Sequence, residues 1–206
     1  MRKAAKILTL MGVFVFLSFA CYGDELRVLI IYDSGDENLR IVPDYRYISV
    51  HATTLPTPYP VNVREIARKL AYELRKKDKI STIYGHISDI ERPDEILRFD
   101  LICIGSPTYF SNMSWQVKKF FDYVFSRYYY NREDKLNDRS FSCFTMAADG
   151  DSAIACLNIM EKGIKSVSQS IVPGMAALEG MNEAELEEKI KVYAERLANA
   201  LDTIQK

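Results

Sequence analysis

Hydrophobic positions along the chain change period several times. Leu26–Tyr32 (LRVLIIY) is a continuous β-branched-rich run, the pattern of a strand covered on both faces. Val63, Ile66, Ala67, Leu70 and Leu74 then recur at helical spacing, with Asn62 placed to cap the helix. Ile80–Tyr84 is a second strand, and Pro93 opens a short helix reaching Leu97. Leu101–Ile104 is a third strand that ends at Gly105. Val117, Phe120, Phe121, Val124 and Phe125 form an amphipathic stripe. Ser140–Ala147 is a fourth strand, and Ala153, Leu157, Met160, Ile164 and Val167 line one helix face. A fifth strand falls within Gln169–Leu178, its limits blurred by Pro173-Gly174. Asn182 and Glu185 form a capping pair ahead of Leu186, Ile190, Tyr193, Leu197 and Leu201.

Five strands alternating with five helices predict βαβ units around a parallel sheet in one α/β domain. One segment breaks the rhythm. A typical βα connection has roughly 2–6 residues, whereas residues 33–61 separate the first strand from its helix and carry Pro43, Pro56, Pro58 and Pro60. Tyr45–Val50 alternates enough for a small extra strand or hairpin. So long a connection is usually functional or disordered.

Residues 1–23 follow another logic. Arg2, Lys3 and Lys6 precede Ile7–Ala20, an uncharged and mostly apolar run of 14 residues. At about 1.5 Å per residue such a run falls short of a bilayer core of roughly 30 Å. A basic start, an apolar middle and small residues at the end describe a secretory signal peptide. The expectation is therefore an exported protein, with residues 1–23 as signal and 24–206 as the domain. Ser18-Phe19-Ala20 before Cys21 also resembles a lipoprotein box, which would tether the protein to a membrane through Cys21.

Composition sharpens this picture. The chain of 206 residues is 48% hydrophobic and 27% charged, a globular balance. Its net charge of −1 becomes −4 without residues 1–20, which hold three basic residues and no acidic one. Nucleic-acid binding through bulk positive charge is thereby excluded. Of four cysteines, Cys103, Cys143 and Cys156 sit in apolar segments, without the spacing of a zinc site or redox pair. Three inert buried thiols are expected. No metal-ligand cluster, phosphate-binding P-loop or nucleophile–base pair is legible. His51, in the insertion, and His86, which follows the second strand away from the point where strand order would reverse, are the only histidines, and both read as solvated or locally bonded.

Ligands of open α/β sheets bind beyond the carboxyl ends of the strands, where strand order reverses. For a five-stranded sheet of order 2-1-3-4-5 the relevant loops are Asp33–Val61, Ser106–Ser111 and Ala148–Asp151.

Gly105-Ser-Pro-Thr-Tyr-Phe-Ser-Asn-Met-Ser114, followed by the amphipathic Trp115–Phe125, resembles the flavodoxin-like FMN-binding proteins. It is most similar to the branch of NAD(P)H-dependent quinone and FMN reductases. That branch reads G-[ST]-P-[TV]-[YR]-[FY]-G-N-M-S, and Ser111 stands where it commonly carries glycine. The resemblance implies a three-layer α/β/α sandwich and non-covalent FMN. Ser106, Pro107, Thr108, Tyr109, Phe110, Asn112 and Met113 would hold the ribityl chain and ring edge, largely through backbone. Taken alone, Phe110 and Met113 read as residues packing the loop onto the sheet; the ten-residue match is what turns them into cofactor contacts. Ser34 and Gly35 would begin the phosphate turn, although Asp36 and Glu37 are unfavourable beside a dianion. Thr53, Thr54 or Thr57 of the insertion would complete it, or the phosphate site is degraded. Gly150 would supply a turn beside the flavin, and Asp151 caps the next helix. The implied activity passes electrons from NAD(P)H through FMN to a quinone or similar acceptor, with no side-chain acid or base. A flavodoxin-type carrier serving a redox protein, and a cofactor-free binding protein, are the alternatives. Homo-oligomers are common in this branch. Tyr128-Tyr129-Tyr130, near the expected rim, suits either a ring substrate or an interface.

Overall fold

The computed structural model describes residues 25–34, 62–131 and 136–204. The signal-like segment, Cys21, Gly35, His51 and nearly all of the 33–61 insertion therefore lie outside the described residues. Those described form a sheet flanked by helices. The strands are β1 (Leu26–Tyr32), β2 (Ile80–His86), β3 (Leu101–Tyr109), β4 (Asn112–Met113), β5 (Ser140–Ala147) and β6 (Met175–Leu178). The α-helices are α1 (Val63–Arg75), α2 (Trp115–Phe120), α3 (Ser126–Asn131), α4 (Gly150–Lys165) and α5 (Glu183–Ile204). A π-helical turn, Phe121–Phe125, joins α2 to α3.

The sheet order is β2-β1-β3-β5-β6, with every pair in this path parallel, and β4 pairs antiparallel with β3. With the two-residue β4 set aside, this is the expected 2-1-3-4-5 order. The chain leaves β1 for the β2 edge and then crosses to β3 on the other side of β1. Strand order reverses between β1 and β3, so a crevice opens at their carboxyl ends.

Both sheet faces are buried, which explains the unbroken apolar runs. Val28, Ile30, Leu101, Cys103 and Phe144 face the layer of α1 and α5. Leu29, Ile31, Ile102, Ile104, Phe141 and Cys143 face the layer of α2, α3 and α4. The expected caps form: Asn62 Oδ1 accepts the Glu65 N–H and Asn182 Oδ1 the Glu185 N–H, each at 2.9 Å.

Three expectations need correction. The segment opened by Pro93 is a 3₁₀ helix (Pro93–Arg98), so β2 and β3 are connected without an α-helix. β3 does not stop at Gly105 but continues to Tyr109, where it turns into β4. Asp149, not Asp151, caps α4, accepting the Ser152 N–H at 2.8 Å. That bond, with a second from the Ser152 hydroxyl to Asp149 Oδ2 at 2.8 Å, holds the Asp149 carboxyl below its ordinary pKa. The three thiols are buried as expected, and desolvation pushes each one's pKa up. Among the described residues, no helix is long and apolar enough to cross a membrane.

Candidate functional site

The carboxyl ends of β1 and β3 are stitched together by the Asp33 N–H, which donates to the Gly105 carbonyl at 3.1 Å. Gly105 leaves no room for a side chain. A Cβ there would lie 2.3 Å from Phe144 Cζ and 2.9 Å from Val63 Cγ1. Its glycine is therefore required by core packing rather than by a ligand.

Beyond Gly105 the chain is held by hydroxyls. Ser106 is fully buried; its Oγ accepts the Ser114 N–H at 2.9 Å and donates to the Pro107 carbonyl at 2.8 Å. Ser114 in turn caps α2 by accepting the Val117 N–H at 3.3 Å. Thr145 Oγ1 donates to the Ser106 carbonyl at 2.7 Å and meets Thr108 Oγ1 at 2.7 Å. These bonds fix both the base of the hairpin and the start of the helix that follows.

The hairpin tip is Phe110-Ser111, flanked by the Tyr109–Asn112 pair. Both tip residues are left-handed, with φ of 50° for Phe110 and 61° for Ser111. Two consecutive positive φ values match the tight turn whose twist suits a two-residue hairpin. Neither residue is glycine, so the turn is strained, a condition that clusters at ligand clamps and switch regions. It also explains why the resembled branch has glycine where this chain has Ser111. Phe110 is fully exposed and Tyr109 half-exposed. The two aromatic rings therefore stand at the crevice edge rather than in the core.

The remaining expected residues divide. Met113 is buried among the residues packing α2 on the sheet, so its side chain is not available to a ligand. Asn112 Oδ1 accepts the Met113 N–H at 2.8 Å. Gly150 is the first residue of α4, and a Cβ there would meet nothing within 4 Å, so nothing in the packing demands glycine. The hairpin leans on α4 through a Ser111–Ser152 hydroxyl bond of 3.2 Å. Ser34 follows β1, and its Oγ is buried without a hydrogen-bond partner among the described residues. Gly35 lies outside them.

The structure adds two residues that sequence reasoning did not assign. Asp33 is fully buried, and its Oδ1 lies 3.3 Å from His86 Nε2. His86 Nδ1 accepts the Ser88 N–H at 3.3 Å and lies 2.6 Å from Ser88 Oγ, which leaves Nε2 to donate to the carboxylate. His86 is thus locally bonded as expected, but it is not remote from the crevice. The Tyr32↔His86 register of β1 and β2 brings it onto Asp33. That pairing between strands distant in sequence left no local signal.

These residues test the fit of FMN. The hairpin offers two aromatic faces and a run of backbone groups before the N-terminus of a helix, as a flat, electron-accepting ring requires. Ser34 Oγ offers a buried hydroxyl that a phosphate oxygen would satisfy. Asp33, hydrogen-bonded to His86 Nε2, puts a buried carboxyl at the end where the dianion would sit. The described residues fit the group, with the phosphate end less favourable than the ring end.

No family model matches the sequence, and no curated protein does. Solved structures do match in shape. Flavodoxin 2 from Bacillus cereus superposes with a TM-score of 0.60 at 16% identity, covering 84% of this chain and 98% of its own. A WrbA-like flavodoxin protein from Agrobacterium tumefaciens gives 0.58 at 18% identity, over 87% of this chain and 99% of its own. An oxidoreductase from Corynebacterium diphtheriae gives 0.60 at 14% identity, over 87% and 98%. At these identities the likeness concerns architecture alone, and it shows that the chain has the flavodoxin-like fold.

Proposed function

We propose that this protein binds FMN non-covalently between the ends of β1 and β3 and works as an NAD(P)H-dependent oxidoreductase, with a quinone or similar compound as acceptor. The observation that carries this reading is the strained hairpin: Phe110-Ser111 at positive φ, anchored by Ser106 and Thr108, beside the strand-order reversal. Support also comes from the G-S-P-T-Y-F-S-N-M-S segment, which resembles the quinone and FMN reductase branch. When bound, the flavin would supply the hydride and electron chemistry. Backbone N–H groups entering α2 would favour negative charge on a reduced ring. Tyr109 and Phe110 would cover the ring and limit water access to it. Ser34 Oγ would hold the phosphate end, beside the hydrogen-bonded Asp33–His86 pair.

The N-terminal pattern supports export, with FMN acquired afterwards. The test is steady-state oxidation of NADH and NADPH by the FMN-loaded chain with a soluble quinone. Turnover beyond one equivalent per flavin is expected. Reduction that stops at one equivalent identifies an electron carrier and overturns the enzymatic reading.

A further inference from the structure

The helices are not alike on their outer faces. Those of α1 and α5 are laced by ion pairs, Lys69 with Glu183 and Glu187, and Lys77 in the turn after α1 pairs with Glu195. The segment 115–130 differs. Its inner face (Val117, Phe120, Phe121, Val124, Phe125, Tyr128) is buried on the sheet. Its outer face carries Trp115, Lys119, Tyr123, Arg127 and Tyr130, spaced three or four residues apart and all exposed. Trp115 and Tyr123 are each 59% exposed and Tyr130 78%, which leaves three large rings in water. Lys119 Nζ sits 5.8 Å from the Trp115 ring centroid. The one acid of this segment, Asp122, is paired with Lys118. Three basic residues against that single acid leave the segment at +2, in a chain whose total is −1. Among the described residues, eight of the twelve exposed large hydrophobic ones lie on the hairpin and on the helices of this layer.

We propose that this face docks on an anionic lipid surface. Aromatic rings interleaved with cations suit the headgroup level of a bilayer, where rings sit at the boundary and Lys or Arg meets phosphate. The chain ahead of the domain supports the same occupant. An uncharged run, Ile7–Ala20, ends at Cys21, and β1 begins at Leu26. The chain from Cys21 to Leu26 spans at most roughly 17 Å at about 3.3 Å per residue. The far end of the stripe, with Tyr128-Tyr129-Tyr130, is at that same edge of the sheet and not at the crevice rim expected from the sequence. Tyr128 Oη donates to the Pro93 carbonyl in the turn leading to β3, and the Asp100 carboxylate just before β3 accepts the Arg27 N–H. An N-terminus held at a membrane, as the lipoprotein-like pattern before Cys21 would give, would bring the Tyr130 end of the stripe to the lipid. The inference does not depend on the flavin.

Trp115 is the only tryptophan of the chain, so its emission reports on this face directly. The full chain is mixed with vesicles of phosphatidylcholine, with or without phosphatidylglycerol. A blue shift on the anionic vesicles alone, quenching by brominated lipid and reversal by salt are expected. The Lys119→Glu, Arg127→Glu double variant, with its melting temperature checked, should bind about tenfold more weakly or worse. Vesicle flotation without a Trp115 shift assigns attachment to the N-terminus alone and overturns the proposal. A shift that grows with protein concentration in the absence of lipid assigns the face to a second copy, and also overturns it.

Discussion

Replacing Gly105 with alanine inserts one methyl group between two side chains that cannot retreat freely. The new Cβ would lie 2.3 and 2.5 Å from Phe144 Cζ and Cε2, and 2.9 Å from Val63 Cγ1. Ordinary contact begins near 3.4 Å, so the Phe144 ring would have to withdraw by about 1.1 Å. Phe144 is fully buried and Val63 nearly so, within one core cluster that includes Ile30, Cys103 and Ile66. Overpacking of a dense core costs about 1–3 kcal/mol, and a clash with two neighbours belongs at the upper end, about 3 kcal/mol. For a domain of this size that corresponds to a fall of roughly 6–12 °C in melting temperature. The assay is thermal and urea unfolding of Gly105→Ala, Phe144→Leu and the double variant. Phe144→Leu alone leaves a cavity and costs about 1–3 kcal/mol. In the double variant the methyl occupies that space, so the two effects should fall short of additive by at least about 1 kcal/mol. A Gly105→Ala protein melting within about 1 °C of the parent, or strict additivity, would refute the packing explanation of this glycine.

Ser106→Ala removes the acceptor of the buried Ser114 N–H and should cost about 1–3 kcal/mol in urea unfolding, with a parallel loss of FMN affinity. Asp33→Asn replaces the fully buried carboxyl at the phosphate end with an amide. It should tighten FMN about tenfold while leaving riboflavin unchanged, as read by flavin fluorescence quenching. Cys103, Cys143 and Cys156 are buried with raised pKa values, so Ellman's reagent at mildly alkaline pH should reach them only after unfolding. Glu65, bonded to Arg68, and Glu187, bonded to Lys69, titrate below the ordinary carboxylate value. Their folded pKa is depressed, so their contribution is present above the ordinary carboxylate pKa and is lost as pH falls through the folded value. Melting temperatures of Glu65→Gln and Glu187→Gln should converge on the parent's as pH drops toward 3.

Much of the architecture was legible because each element carried its own period. Leu26–Tyr32 and Ser140–Ala147 occur as strands with the expected limits, since burial on both faces leaves a continuous apolar run. The end of the third strand was not legible. Gly105 and Pro107 read as a turn, yet β3 passes through both to Tyr109, held by Ser106 and Thr108 hydroxyls whose partners are eight and 37 residues away. The strain at Phe110-Ser111 was hidden too, because neither residue is a usual left-handed one. Met113 illustrates the limit of motif reading: within a matching segment, its side chain serves the core. The Asp33–His86 contact joins residues 53 apart and depends on the β1–β2 register, which no local pattern specifies.

Binding of FMN at the ends of β1 and β3 is the claim on which the functional reading depends. It is tested most directly by titrating the flavin-free chain with FMN while recording its melting temperature. A ligand that binds only the folded state stabilises it by about 2.7 kcal/mol at a hundredfold excess over Kd. That predicts a saturable rise of roughly 5–11 °C, diminished in a Ser106→Ala variant compared against its own flavin-free melting temperature. A melting temperature that stays fixed as FMN is raised to millimolar concentration, with no change in flavin fluorescence, contradicts it.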